Sequence, residues 1–144
     1  MLKELVALCL VSAAAVMLLT GIARAEDGAS LSAERAHELA QAGEVLLIDI
    51  RRPQEWRDTG IGGSASPVSM HEKGFVEKLL DLTGGDKSKP LALICAAGIR
   101  SSFMRSQLVQ LGFTRVIDVS EGMLGSAAGD GWLKAGLPVK PYRN

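Results

Sequence analysis

The sequence predicts an α/β fold in which a central, mainly parallel sheet carries helices on both faces. Three short, mainly apolar runs at 45–50, 91–94 and 116–119 lack polar alternation. Such runs are typical of strands that are covered on both sides. Helical segments separate the runs, and an alternation of strand and helix favours a parallel sheet whose ligands bind beyond the carboxyl ends of the strands.

Capping residues and helix breakers define the elements of the first half. A helix begins after Ser32, which is a good N-cap, and ends at Gly43. The first apolar run follows as a strand. Pro53 then begins a short helical turn over 54–58. A flexible glycine-rich loop leads from that turn to an extended segment at 65–68.

The second half repeats this alternation. Helices are predicted at 75–82, at 99–111 and around 132–135, with the second and third apolar runs between them. Apolar residues at helical spacing predict which face of the helix over 99–111 meets the core. These residues are Ile99, Phe103, Met104, Leu108 and Leu111.

Residues 1–25 are interpreted as a secretory signal peptide rather than as part of this fold. The 18 residues from Leu5 to Ile22 are uncharged and mostly apolar, and Ala23-Arg24-Ala25 has the small-x-small form that signal peptidase cleaves. The alternative is an uncleaved membrane anchor, because such a run approaches the length of a membrane-spanning helix. Cleavage would leave residues 26–144 as a single domain, periplasmic or secreted.

Composition and charge exclude several classes of partner and cofactor. The 16 basic and 16 acidic side chains cancel. We therefore expect no nucleic-acid partner, and no membrane contact for the domain unless the leader is retained. Without the leader, Cys95 is the one cysteine, and with His37 and His71 it gives too few ligands for structural zinc. We predict no metal and no other cofactor.

Cys95 directly follows the second apolar run and begins the most informative segment of the chain. The residues after it are Ala96, Ala97, Gly98, Ile99, Arg100 and Ser101. Small residues let the chain curl around the sulfur, and the first amides of the next helix have no internal partners, so the loop can hold an anion. Arg100 adds a cation. Since the thiolate is the nucleophile, we expect this loop to favour the thiolate of Cys95.

This segment, together with Asp49-Ile50-Arg51 and Glu55-Trp56, resembles the rhodanese family of sulfurtransferases, whose active loop reads Cys-x-x-Gly-x-Arg. Further matching segments lie at 111–113, 121–123 and 136–139. The resemblance implies a rhodanese-like domain in which Cys95 takes sulfane sulfur from a small anion such as thiosulfate. The resulting persulfide would pass its outer sulfur to a thiophilic acceptor such as cyanide, or to a protein acceptor.

The resemblance also assigns roles to the surrounding residues. Residues 96–101, including Arg100 and Ser101, would bind the donor anion. Asp49 and Arg51 are interpreted as a structural ion pair that supports the loop. No general acid is needed, since sulfite is a weakly basic leaving group, and we find no obvious Asp or His motif beside the loop to supply one.

Two segments depart from the family pattern. Residues 59–64, Thr-Gly-Ile-Gly-Gly-Ser, lack the usual His and Pro, so we expect a loose loop there. Leu124 to Asp130 is interpreted as an insertion after the third strand. It either shapes the mouth of the pocket or is a surface loop without function.

Two alternative functions remain open. Phosphatases and arsenate reductases of this scaffold have one more residue between Cys and Arg than the four found here, 96–99. The shorter loop fits one sulfur better than a tetrahedral phosphoryl group. The other alternative is a non-enzymatic module, in which Cys95 carries a persulfide to one partner or senses oxidants.

Overall fold

A computed structural model describes residues 30–143, so the predicted signal peptide lies outside the described residues. Between residues 30 and 143, no helix is long and apolar enough to cross a bilayer. In chain order the elements are β1 (Ser30–Leu31), α1 (Ala33–Gln41), β2 (Leu46–Asp49), α2 (Pro53–Thr59), β3 (Ile61–Gly62), β4 (Ser66–Pro67), α3 (Phe75–Thr83), β5 (Leu91–Ile94), α4 (Ile99–Gln110), β6 (Val116–Val119), α5 (Gly131–Lys134) and β7 (Val139–Lys140).

The main sheet has five strands in the order β1-β6-β5-β2-β4, and every neighbouring pair is parallel. The predicted α/β class is therefore confirmed. Strand β5 lies at the centre, with β6 on one side and β2 on the other. The loop after β5 thus emerges from the middle of the carboxyl edge, between the ends of two other strands.

The apolar runs are continuous because their side chains fill two separate cores. Leu47, Ala92 and Ile94 face the core beneath α1 and α5. Ile48 and Leu93 face the opposite core, beneath α3 and α4. Since successive side chains of a strand point to opposite faces, both must be apolar when helices cover the two sides.

Local capping explains the ends of the first two helices. Ser32 accepts a hydrogen bond from the backbone N–H of Arg35 at 3.1 Å, as expected for the N-cap of α1. Pro53 occupies the first turn of α2, and the Glu55 carboxylate accepts from the backbone N–H of Arg52 at 3.0 Å. Glu55 is thereby fixed at the start of α2, near the carboxyl edge of the sheet.

The predicted apolar face of α4 is confirmed for Leu108 and for Met104, which packs against the core, but it is wrong for the other three residues. Ile99, Phe103 and Leu111 are 80%, 56% and 49% exposed, whereas Ser101 and Leu108 are completely buried. The core-facing side of the helix begins with a serine because the Ser101 hydroxyl contacts Cys95 and Gly98. A polar residue that is satisfied inside the protein cannot be recognised from apolar spacing.

The loop at 59–64 is also more ordered than expected. Its residues Ile61–Gly62 form β3, which pairs antiparallel with β7. The backbone N–H of Gly63 donates to the carbonyl of Pro138 at 2.8 Å. A Cβ on Gly62 would lie 2.8 Å from the Trp132 ring, so this glycine permits close packing rather than looseness.

Candidate active site

Cys95 lies at the carboxyl end of the central strand, where a three-residue loop leads into α4. Gly98 has φ +81°, and a Cβ there would lie 2.2 Å from the carbonyl oxygen of Ser120. Gly122 has φ +68°, and a Cβ there would lie 2.4 Å from the carbonyl oxygen of Ala96. Both positions therefore require glycine, because the loop is pressed against the segment that follows β6.

In this packing the carbonyl groups of the loop accept hydrogen bonds from the segment after β6, whereas the loop amides remain free to donate to a ligand. The carbonyls of Cys95 and Ala96 accept hydrogen bonds from the backbone N–H groups of Met123 and Leu124, at 2.8 and 2.9 Å. Within residues 30–143, by contrast, no protein acceptor is found for the backbone N–H groups of residues 96–101. Six consecutive donors without a protein acceptor directly follow Cys95, and free backbone donors of this kind are suited to bind an anion.

The thiol of Cys95 is buried, with 1% of the residue exposed. Its Sγ lies 3.3 Å from the Oγ of Ser101, a residue with no exposed surface. The Ser101 hydroxyl also lies 3.2 Å from the Gly98 carbonyl, to which it can donate. The Ser101 hydroxyl is therefore a polar group in direct contact with the candidate nucleophile.

Arg100 forms a two-pronged ion pair with Glu55 of α2, with N···O distances of 2.6 and 2.8 Å. The Arg100 hydrogen bond, more than any other influence, lowers the pKa of Glu55 to about 2. The pKa of Arg100 is raised, mainly by the Glu55 hydrogen bond and further by the negative charges of Glu55, Cys95 and Asp49. The cation thus stands within electrostatic reach of Cys95, but a carboxylate already neutralises it.

Asp49 and Arg51 form a second, fully buried ion pair beside the site. Arg51 Nη2 lies 2.8 Å from an Asp49 carboxylate oxygen, and the two residues are 1% and 0% exposed. Arg51 also donates to the Thr59 hydroxyl at 2.9 Å and to the Gly60 carbonyl at 2.8 Å. This geometry fastens the end of β2 to the end of α2, which carries Glu55.

Sequence reasoning missed Asp118, a residue of β6. Only 9% of it is exposed, and its Oδ1 is buried without a hydrogen-bond partner among the described residues. Burial raises the pKa of Asp118, while the Ser101 hydroxyl and the Arg105 charge act in the opposite direction. The sequence did contain a signal for this residue, because Asp118 is a charged residue in the middle of an otherwise apolar strand.

A cleft of about 680 Å³ lies on one side of the Cys95 loop. The loop and the start of α4 form one wall, the end of β6 forms the floor, and the predicted insertion forms the other wall. Its lining residues are Ala97, Gly98, Ile99, Ser102, Asp118, Ser120, Ser126, Ala127 and Ala128. The insertion closes on itself through a bridge between Ser126 and Gly129, and the Ser126 hydroxyl donates to the Ser120 carbonyl at 2.8 Å.

The predicted site residues therefore fall into three groups. Cys95, Gly98 and Ser101 are buried together, and Ala96 is half-buried beside them. Ala97 and Ile99 form an exposed apolar rim. Arg100 lies between the loop and α2. Among the described residues, no group of His, Cys, Asp and Glu has the arrangement of a metal site.

Comparison with known sequences matches residues 32–128 to the rhodanese-like domain family. A tRNA uridine(34) hydroxylase of Acinetobacter baumannii is 30% identical over 97 residues, which is 67% of this chain and 31% of that protein. A hydroxylase of the same name from Legionella pneumophila is 27% identical over the same length, 38% of that protein. The chain thus spans about a third of these curated relatives.

Two solved structures are similar to this chain in both fold and sequence. The polysulfide-sulfur transferase homodimer of Wolinella succinogenes has a TM-score of 0.59 and 28% identity, covering 80% of each chain. The thiosulfate sulfurtransferase of Pseudomonas aeruginosa has a TM-score of 0.64 and 25% identity, covering 80% of this chain and 20% of that one. With a family match over most of its length and sulfurtransferases among its structural neighbours, the chain belongs to the rhodanese-like domain family.

Proposed function

We propose that this chain is a sulfurtransferase that moves sulfane sulfur from thiosulfate, or a similar small anion, to a thiophilic acceptor such as cyanide. The carrier is a persulfide on Cys95. The observation that supports this most strongly is the run of six backbone N–H groups at residues 96–101 for which the described protein offers no acceptor. Preorganised donors of this kind stabilise charge on a sulfur without reorganisation.

The reaction needs two displacements at sulfur. The Cys95 thiolate attacks the outer sulfur of thiosulfate, an S–S bond forms, and sulfite leaves with the electron pair of the broken bond. Cyanide then attacks the outer sulfur of the persulfide, thiocyanate leaves, and the Cys95 thiolate is regenerated. Sulfite and thiolate are both stable anions, so neither departure needs a proton from a general acid.

The ion pair between Arg100 and Glu55 gives the donor anion a second point of attachment. The Arg100 side chain is 29% exposed, so a small anion in solvent can reach it. Five N–H donors allow one guanidinium to serve a carboxylate and a small anion together. In this proposal Glu55 orients Arg100, and thiosulfate shares it during the first displacement.

Steady-state assays test the proposal. Thiocyanate formation from thiosulfate and cyanide is expected from the purified protein and is expected to disappear in Cys95→Ser, because a hydroxyl forms no persulfide. Ser106→Ala, which removes an exposed hydroxyl on the same helix outside the cleft lining, serves as the matched control. Turnover by Cys95→Ser would contradict the proposal. Transfer of a single sulfur without further turnover would instead identify a persulfide carrier.

We also propose that the domain works in the periplasm or outside the cell after removal of residues 1–25. The support is the apolar run followed by Ala23-Arg24-Ala25 in the sequence. Expression of the full chain in a bacterial host, followed by fractionation and N-terminal sequencing, tests this. A periplasmic protein beginning at Glu26 is expected, and a protein that keeps Met1 in the cytoplasm would contradict export.

A further inference from the structure

We propose that Glu55 selects the sulfur donor by charge, because its ion pair with Arg100 weakens the binding of dianions more than the binding of monoanions. Glu55 is then a positioning residue, which acts on the donor through Arg100. The inference rests on the proposed function and names a substrate class for it. Donors in which the sulfane sulfur belongs to a monoanion, such as organic thiosulfonates, are favoured relative to the dianion thiosulfate.

The ion pair removes the net charge of Arg100 but leaves it hydrogen-bond donors. Nη2 donates to Glu55 Oε1 at 2.6 Å, and Nη1 donates to Oε2 at 2.8 Å. A guanidinium has five N–H bonds, so three of them remain when Glu55 takes two. Among residues 30–143 no other acceptor is found for them. A donor can therefore be hydrogen-bonded by Arg100 without meeting an uncompensated positive charge.

The neighbouring ion pair does not supply the missing positive charge. Arg51 lies 2.8 Å from Asp49, and this second pair is buried and also neutral. Neither ion pair thus balances the negative charge of the Cys95 thiolate. Coulomb repulsion is proportional to the product of the charges, so the thiolate repels a dianion twice as strongly as a monoanion at the same distance.

Glu55 is held firmly enough to keep this effect when a donor arrives. Its carboxylate also accepts from the backbone N–H of Arg52 at 3.0 Å, which fixes it to the first turn of α2. The side chains of Arg100 and Glu55 are 29% and 30% exposed, so water and salt screen their charges less than those of a fully exposed pair. The pKa of Glu55 is lowered to about 2, chiefly by the Arg100 hydrogen bond, so its charge is constant at neutral pH.

Two donors of similar shape and different charge test the inference. Methanethiosulfonate has a methyl group in place of one oxygen of thiosulfate and therefore has one negative charge less. With either donor, the Cys95 thiolate attacks the outer sulfur and an S–S bond forms. The S–S bond of the donor breaks, and sulfite or methanesulfinate leaves with its electron pair. The measured quantity is the ratio of kcat/KM for thiosulfate to kcat/KM for methanethiosulfonate, with cyanide as the acceptor.

Glu55→Gln is expected to raise this ratio by about tenfold, because the charge of Arg100 is no longer cancelled. Glu55→Asp keeps the negative charge and is expected to stay within about twofold of the wild type. A purely structural role of Glu55 would lower kcat/KM for both donors and leave their ratio unchanged. The ratio therefore separates selection by charge from damage to the loop.

Asp58→Asn is the matched control, because it removes a carboxylate charge from the same helix. Asp58 is exposed and accepts from Gln54 at 2.7 Å, not from Arg100. Its ratio is expected to stay within about twofold of the wild type. A ratio in Glu55→Gln within about twofold of the wild type, or an equal rise in Asp58→Asn, would overturn the inference.

A binding measurement tests the same inference without sulfur transfer. Sulfate and methanesulfonate resemble the two donors but have no outer sulfur, and their protection of Cys95 from iodoacetamide gives their affinities. Glu55→Gln is expected to improve protection by sulfate relative to methanesulfonate by about tenfold. Protein that transfers sulfur but shows no such shift contradicts only the inference about Glu55. Protein that shows the shift but transfers sulfur from neither donor contradicts only the sulfurtransferase proposal.

Discussion

Two buried carboxylates flank the Cys95 loop, and they differ in how they are satisfied. Asp49, at the end of β2, is fully paired with Arg51 through contacts of 2.8 to 3.1 Å. Asp118, on β6, has an oxygen with no hydrogen-bond partner among the described residues. A paired buried charge holds neighbouring elements in place. An unpaired buried charge lowers the stability of the fold and therefore suggests a chemical role.

The largest change in the free energy of unfolding is expected from breaking the ion pair between Asp49 and Arg51. Arg51→Met removes the cation and leaves Asp49 charged and buried, which should lower the free energy of unfolding by about 3–5 kcal/mol. Urea unfolding at neutral pH measures this. Asp49→Leu combined with Arg51→Met should recover part of the loss, because no uncompensated charge remains. A loss below about 1 kcal/mol for Arg51→Met alone would show that the pair is not the brace inferred from its contacts.

An intermediate effect is expected at Glu55, which is paired but partly exposed. Its pKa is lowered from 4.5 to about 2, so its ionised form favours the folded state. This contribution is complete above pH 4.5 and is lost as the pH falls through about 2. Glu55→Gln should cost about 1 kcal/mol at neutral pH.

The difference in free energy of unfolding between Glu55→Gln and the wild type should disappear in acid, where wild-type Glu55 is also neutral. Unfolding curves of the two proteins across this pH range measure the effect, and Gln54→Ala on the exposed side of α2 is the control. A difference between Glu55→Gln and the wild type that stays constant with pH would contradict the ion-pair explanation.

The smallest change in the free energy of unfolding is expected at Asp118, and it has the opposite sign. Burial raises the pKa of Asp118 above its ordinary value of 3.8, so folding disfavours the ionised form. The associated stability is present below pH 3.8 and is lost as the pH rises through the raised pKa. Asp118→Asn should therefore stabilise the protein at neutral pH by up to about 1 kcal/mol.

Thermal unfolding at neutral and acid pH tests this difference, which should vanish in acid. Stabilisation that is equal at both pH values would point to packing instead of charge. If Asp118→Asn destabilises the protein at neutral pH, the carboxylate has a partner that the contacts do not show.

The sequence was sufficient for the sheet and for the Cys95 loop but not for the partners of the loop. Continuous apolar runs and the Cys-to-Arg spacing are local patterns. The two-residue strands β1, β3 and β7 carry no such pattern, because two residues form no recognisable period. Glu55 meets Arg100 across 45 positions of the chain. That contact depends on the pairing of β2 with β5, which no local pattern specifies.

The face of α4 illustrates the same limit. Apolar spacing placed Ile99 and Phe103 in the core, but the orientation of the helix is set by Gly98 against Ser120 and by Ser101 beneath the sulfur. Asp118 was placed in a buried strand, but its unpartnered oxygen could not be foreseen. Whether a buried carboxyl is paired depends on side chains from other elements, here Ser101 and Arg105.

The mass of the intact protein after incubation with thiosulfate tests the central claim most directly. The account predicts one added sulfur atom per chain, located on Cys95 by peptide mapping, removed by cyanide, and absent from Cys95→Ser. An unchanged mass in folded wild-type protein, or an added sulfur that persists in Cys95→Ser, would contradict it.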